Sequence, residues 1–350
     1  MNNQDYWARR KAREMYTELQ KAEETADELK KVYMVASNEI KQRQAEILRR
    51  FMLKHHLTEA QARRLLRTIK NKNDINALIQ ALKNDPQNAD LAAELESQAY
   101  AARINSLTQT QIAVDNVAAT IFAAALPKTR QILSQVAQSM YYHEVFELQK
   151  RSGYAYAVSP LDPKRIAKVL NTRWSGQNFS RRLWGNTERL AGAVKEQILL
   201  EILTGKTQHF MSQAIDSSFS VGYNETRRLI RTESNYVTNQ MSLEAYKDTG
   251  ADKYIYVAIL DLKTSLVCRG LDKKVFKVSE AQAGKNLPPM HPWCRSTTIA
   301  WMPRELLAKM KQRAWNPAKG EAVMIPATMT YEQWYNIYVK GAQNGKGQGS

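Results

Sequence analysis

The chain contains two cysteines, Cys268 and Cys294, and His291 stands three residues before the second. The first closes a short polar turn, D-L-K-T-S-L-V-C-R-G-L-D, that follows an apolar run, Tyr254 to Leu260. The second lies in P-P-M-H-P-W-C-R, a proline-stiffened loop leading into Thr297-Thr298-Ile299-Ala300-Trp301. Two sulfurs and an imidazole at two strand ends can staple those ends together. Zinc takes about four N, S or O ligands; Cys268, His291 and Cys294 supply three, with Asp261 or Asp272 as a fourth. A Cys268–Cys294 disulfide is stereochemically possible outside a reducing cytosol. Two buried, reduced thiols beside a hydrogen-bonded His are the plainest reading, since free Cys is commonly buried. A Cys–His nucleophile finds no orienting carboxylate or oxyanion hole in the sequence.

Two further sets of residues carry chemistry. Arg231 and Glu233 are two apart on a predicted helix, so they point to different faces and do not pair with each other. They read as ties from that helix to the strands that follow. An Arg–Thr–Glu set of this kind also resembles ADP-ribosyltransferases, whose catalytic Glu stands near a strand end; Glu321 is the late candidate. In N-T-R-W-S-G-Q-N-F-S-R-R-L-W-G-N-T-E-R-L, Arg173, Arg181, Arg182 and Arg189 interleave with Trp174, Phe179 and Trp184. That composition suits single-stranded nucleic acid or a phosphate backbone. It equally suits helices packed through their aromatics with guanidiniums covering the rim, the reading favoured here.

The run Arg231-Thr232-Glu233, then D-x-x-T-x-x-x-C-x-x-L-D, then P-P-x-H-P-x-C-R resembles the head-morphogenesis family of tailed bacteriophages, proteins similar to the F protein of phage Mu. The resemblance is specific over about 205–301 and looser toward Tyr6-Trp7 and Trp174-Ser175-Gly176. It marks Arg231, Glu233, Asp261, Pro289, His291, Cys294 and Arg295 as motif residues. The family pattern carries a C-x-x-C after the Asp and a C-R-C after the His-Pro. Here the outer positions are Ser265 and Ser296, so one Cys of each pair remains. If the four family cysteines make two cross-strand contacts, loss of one as a unit leaves Cys268 close to Cys294.

The elements that must position these residues begin with a long helix. Met15, Leu19, Ala22, Ala26, Leu29, Tyr33, Ala36, Ile40 and Ile47 recur at steps of four and three, with Arg43 interrupting, which is a coiled-coil seam. Another helix of the same chain is the expected cover. A second helix opens at Thr58-Glu59-Ala60-Gln61 and ends by Asp85-Pro86. Residues 88–125 read as helix up to Leu126-Pro127, and 128–150 as another. His55-His56 diverge on a turn and read as solvated. Ser152-Gly153 and Ser159-Pro160-Leu161-Asp162-Pro163 mark a joint. Helices follow at about 186–203 and 224–247, then the two strand-like runs, then a short helix, Arg304 to Arg313, irregular chain, and an aromatic turn, Tyr331 to Tyr338. The expected fold is mostly α: an elongated helical region (1–150), a basic helical connector (151–204), a small α+β domain with a short sheet (205–302), an extension (303–340) and a flexible tail (341–350).

Charge and hydropathy bound the function. The formal net charge is +17, densest at 151–210, where 10 Lys and Arg face 4 Asp and Glu. Such a field favours phosphate or acidic partners, and no base-reading module accompanies it. No apolar run reaches the length of a membrane span, and the first residues carry no secretory pattern. The resemblance implies a minor capsid protein, not an enzyme. It implies association with the portal during procapsid assembly alongside major capsid and scaffold proteins, non-specific contact with double-stranded DNA, and a place in the phage head after assembly in the host cytoplasm. No cofactor is expected beyond zinc at Cys268, His291 and Cys294. The alternative is an ADP-ribosyltransferase-like or other toxin-type enzyme domain.

Overall fold

The structure, a computed structural model, describes residues 3–54, 98–153, 155–204, 208–259, 261, 263–302, 311–316, 321–326, 333, 336 and 337. Its elements are α1 (Asn3–Lys54), α2 (Gln98–Ser152), α3 (Pro163–Asn171), α4 (Phe179–Thr204), α5 (Gln208–Asp248), β1 (Lys253–Val257), α6 (Leu266–Leu271), β2 (Val275–Lys277), β3 (Thr297–Ala300), β4 (Lys311–Asn316) and β5 (Glu321–Pro326). The protein is mostly helical with a short antiparallel sheet, as the pattern predicts. The chain forms two compact units: Met1–Glu23, Arg130–Asn178 and Ile230–Ser350 make one, Glu24–Thr129 and Phe179–Leu229 the other. The helix expected at 58–86, His55-His56 and the tail lie outside the described residues, as does most of the aromatic turn at 331–338.

The second unit shows why the α1 seam exists. Tyr33, Ala36 and Ile40 are buried with Val114, Val117 and Ile121 of α2, Val194 and Ile198 of α4, and Ile215 and Phe219 of α5. Each buried aliphatic side chain of this kind contributes about 1.5–3 kcal/mol, so the unit is held chiefly by its apolar stripes. Polar groups fix the rotation of the helices. The Tyr33 hydroxyl meets Thr226 Oγ1 at 2.7 Å, and the Tyr223 hydroxyl donates to Asp27 at 2.9 Å. Gly222 lets α5 come close to α4: a Cβ there would stand 2.9 Å from a Leu190 methyl.

The first unit holds the sheet, in the order β2-β1-β3, all antiparallel. β1 is covered on both faces. Ile255 and Val257 pack with Ile299, Ala8 and Trp301. Tyr254 joins a cluster with Tyr246, Leu287 and Ala300, and Tyr256 one with the two cysteines. Burial on both faces explains why the strand reads as a continuous apolar run. At the joint, Gly153 takes φ +75 after α2, Asp162 caps α3 by accepting from Lys164 N at 2.8 Å, and Pro163 takes the first helical position. Arg165 then ties α3 to Glu244 and Asp248 of α5 at 2.6 and 2.7 Å.

Four elements differ from the pattern: α4 starts at Phe179 rather than near Asn186, and three more depart further. Leu126-Pro127 does not break the chain: Pro127 lies inside α2. Proline there removes one backbone hydrogen bond, but Ile121 and Ala125 before it and Ile132 and Leu133 after it are all buried, so packing keeps the helix continuous. α5 starts at Gln208 rather than near Asn224, because Ile215, Phe219 and Tyr223 form a buried stripe across Ser217, Ser218 and Gly222. Residues 311–313 are strand rather than helix: β4 pairs with β5 along six residues, from Lys311 opposite Pro326 to Asn316 opposite Glu321. Cross-strand pairing overrides the helical propensity of that stretch, and Asn316-Pro317 with Gly320 between two runs is the hairpin signal.

Candidate metal centre

Cys268 lies in α6, whose N-cap is Ser265; its hydroxyl oxygen accepts from Cys268 N at 3.2 Å. Cys294 and His291 lie in the loop before β3, which contains a cis peptide at Pro288-Pro289 and a left-handed Trp293, φ 63. These elements bring the three predicted ligands together. Cys268 Sγ is 3.8 Å from Cys294 Sγ and 3.4 Å from His291 Nε2, and all three donor atoms lie within 4.8 Å of one another. Both thiols are free and buried, among Tyr256, Ala258, Leu271, Phe276 and Met290.

Zinc–sulfur bonds of about 2.3 Å and zinc–nitrogen bonds of about 2.0–2.1 Å in a tetrahedron put two sulfurs about 3.8 Å apart and sulfur and nitrogen about 3.5 Å apart. The Cys268–Cys294 and Cys268–His291 spacings match those values, and the two sulfurs are much farther apart than the ~2.05 Å of a disulfide. The histidine is oriented for the task. Its Nδ1 stands 2.7 Å from the Pro292 carbonyl, an acceptor, so Nδ1 carries the proton and Nε2 presents its lone pair to the sulfurs. Zinc held there would join the α6 turn to the loop before β3, with one coordination position left for water.

The groups around Cys268 favour its thiolate. Hydrogen bonding from Cys294 lowers its pKa most, and burial works against this; Ser265, Ser296 and the Tyr256 hydroxyl, 3.3 Å away, add to the lowering. Cys294 is pushed up, first by the hydrogen bond it makes to Cys268 and then by burial. Cys268 is therefore the sulfur of the pair that ionises first, and bound zinc would bring the second proton off. Ser265 and Ser296, at the outer cysteine positions of the resemblance, both help to lower the Cys268 thiol.

The two candidate fourth ligands are engaged elsewhere, so neither Asp261 nor Asp272 joins the cluster. Asp261 receives both arms of Arg295 at 2.7 Å and accepts from Lys263 N at 3.0 Å and Thr264 Oγ1 at 2.9 Å. Those hydrogen bonds, led by Arg295, hold its carboxyl well below the usual range. This forked pair spans from the turn before α6 to the residue after Cys294 and fixes the approach of the two loops. Asp272 accepts from Ala258 N at 2.9 Å and closes the end of β1.

The remaining motif residues brace the centre. Pro289 is buried. Arg231 reaches Glu23 at 3.0 Å and lies 5.9 Å over the Trp293 ring, while Glu233 is 3 % exposed and accepts from Trp174 Nε1 at 3.2 Å. Each makes a tie of its own. Sequence reasoning missed the buried clamps from α5. Thr232 Oγ1 accepts from Trp293 N at 3.3 Å, and Asn235 Nδ2 donates to the carbonyls of Cys294 and Ser296 at 2.9 and 3.1 Å. Thr232, Asn235, Asn239 and Ser242 are all buried. Their 3-4-3 spacing is a polar stripe on α5, a signal visible in the sequence.

The basic aromatic stretch is divided. Trp174 stacks on Tyr236 with ring centres 5.0 Å apart, and Arg173 beside it is exposed. On α4, Phe179 is buried and Trp184 meets Phe122 edge-on at 5.0 Å. Arg189 donates to Asn186 and to Glu225 at 3.2 Å, Arg182 is half-buried, and Arg181 is exposed. Glu321, the late acidic candidate, is exposed at the start of β5. No helix among the described residues is long and apolar enough to cross a membrane.

Residues 192–299 match the family model described as Phage Mu protein F like protein. A 148-residue stretch is 26% identical to a protein of Enterococcus faecalis named NAD(+)--arginine ADP-ribosyltransferase EFV. The match covers 41% of this chain and 30% of that protein, so the chain spans under a third of its relative's length. No solved structure matches significantly. The resemblance carried by the R-T-E run, the D-x-x-T turn and the H-P-W-C-R loop thus recurs over the stretch that contains them: residues 192–299 are similar to phage Mu protein F-like proteins.

Proposed function

We propose that this chain is a minor head protein of a tailed phage, joining the portal during procapsid assembly with major capsid and scaffold proteins. In this reading it contacts packaged double-stranded DNA without sequence preference, and zinc at Cys268, His291 and Cys294 staples its family domain. The observation that carries the reading is how the motif residues are used. Arg231, Asp261 and Arg295 hold loops, and Glu233 is buried against Trp174. Side chains committed to holding loops support a structural part rather than a catalyst. The test is co-expression with portal, scaffold and major capsid proteins of the same phage. A few copies in purified procapsids are expected; normal expression with none incorporated sinks the proposal.

An enzyme reading is favoured by the Arg231-Thr232-Glu233 set and by the name of the relative. It requires NAD⁺ turnover that is lost on replacing Glu233 or Glu321. Release of nicotinamide by the purified chain, abolished in Glu321→Gln, would establish it in place of the first.

A further inference from the structure

The first turns of α1 and the last turns of α2 border a cavity of about 20 Å³, lined by Trp7, Lys11, Glu14, Glu144, Glu147 and Arg151 among others. Three of these residues carry a buried polar atom without a hydrogen-bond partner among the described residues: Trp7 Nε1, Glu14 Oε2 and Arg151 Nε. Arg151 is 5 % exposed, and its Nη1 is spent on the Ala300 carbonyl at 2.6 Å. The neighbouring charges are committed as well. Lys11 binds Glu144 and donates to Ser242 at 2.9 Å, and Arg10 pairs with Glu147 at 2.5 Å.

The size admits one water molecule, which needs roughly 10–15 Å³ measured this way and two to four polar partners. Its valences match the set. Two N–H groups, of Trp7 and Arg151, can donate to one oxygen, and that oxygen can donate to Glu14. An anion would face the carboxylates of Glu14, Glu144 and Glu147; a cation would face Arg151 and Lys11. We infer that this cavity is a binding site for a single ordered water that hydrates the Glu14 carboxyl and serves as its proton donor and acceptor. Burial raises that carboxyl to about 7, with Glu144 and Glu147 adding to the rise and Lys11 and Arg10 opposing it.

A high-resolution crystal structure of the full chain reads this directly. One water peak within hydrogen-bond reach of Trp7 Nε1, Arg151 Nε and Glu14 is expected. A cavity without density, an anomalous chloride peak, or Glu14 bonded straight to Arg151 Nε would overturn the inference. In solution, Leu148→Phe, which fills the cavity, should raise the Glu14 midpoint read by carboxyl ¹³C NMR by a pH unit or more. An unmoved midpoint in a folded variant would mean that no water hydrates the group. Should that variant not fold, the wild-type peak decides the matter.

Discussion

At the level of single residues, the cluster is a four-position box in which two positions are sulfur and two are hydroxyl. Ser296 is 2 % exposed and helps to lower the Cys268 thiol, so Ser296→Cys places a third thiolate on the same centre. Zinc affinity, measured by competition with a chromophoric chelator, should rise roughly ten- to a hundredfold, the scale on which neighbouring groups tune metal sites. Unchanged affinity would mean that no zinc is held between Cys268 and Cys294. The sequence supplied the three ligands and their nearness. It did not exclude Asp261 and Asp272, because a carboxylate's commitment to Arg295 or to Ala258 N is visible in the fold alone. Glu14 gives the pH prediction. Its carboxyl is raised from 4.5 to about 7 in the folded chain, so the folded state binds the extra proton between those values. Stability from this group is full below pH 4.5 and is lost as pH rises through 7. The shift caps the effect at about 3 kcal/mol, and solvent screening reduces it to about 1–2 kcal/mol. Glu14→Gln should match wild type in melting temperature near pH 4.5 and exceed it at pH 8; a gap that does not widen with pH removes Glu14 as the cause.

At the level of elements, the helix seam was legible from Met15 to Ile40, the side chain of Ile47 lying outside the described residues, and the polar stripe was not. Met15, Leu19, Ala22, Ala26, Leu29, Tyr33, Ala36 and Ile40 are all buried, because apolar side chains at a/d spacing have one favourable place to go. Thr232, Asn235, Asn239 and Ser242 have the same spacing, but a polar stripe normally faces water. Here Asn235 and Asn239 donate to carbonyls of the loop before β3, Thr232 accepts from the Trp293 N–H, and Ser242 accepts from Lys11. Pro127 and β4 were misread for a related reason, since local preference was opposed by packing in one case and by strand pairing in the other. Asn235→Ala should show what the stripe is worth. It removes two donors from the carbonyls of Cys294 and Ser296 and leaves both buried, at a cost of about 2–4 kcal/mol. Urea denaturation should show the midpoint falling with the slope unchanged. A loss under about 0.5 kcal/mol, the scale of an ordinary surface substitution, would place the hold on that loop in the prolines and apolar contacts instead.

At the level of the whole molecule, the excess of positive charge is the property that no single site accounts for. The net charge of +17 creates a field suited to phosphate, but the arginines of the aromatic stretch are not equivalent within it. Arg189 is spent on Asn186 and Glu225, and Arg182 is half-buried, whereas Arg181 and Arg173 are exposed. Affinity for double-stranded DNA should be independent of sequence and should fall steeply with salt, as neutralised phosphates release their counterions. Each arginine that touches phosphate adds about 0.9 to the slope of log K against log salt. Arg181→Ala should therefore flatten the slope by about that amount. Arg189→Ala should do the reverse, lowering the melting temperature through the lost ties to Asn186 and Glu225 while the slope stays as it was. Filter binding at four salt concentrations and a thermal scan distinguish the two. If Arg181→Ala leaves the slope unchanged, Arg181 does not touch the duplex, and DNA contact through the start of α4 is withdrawn from the proposal.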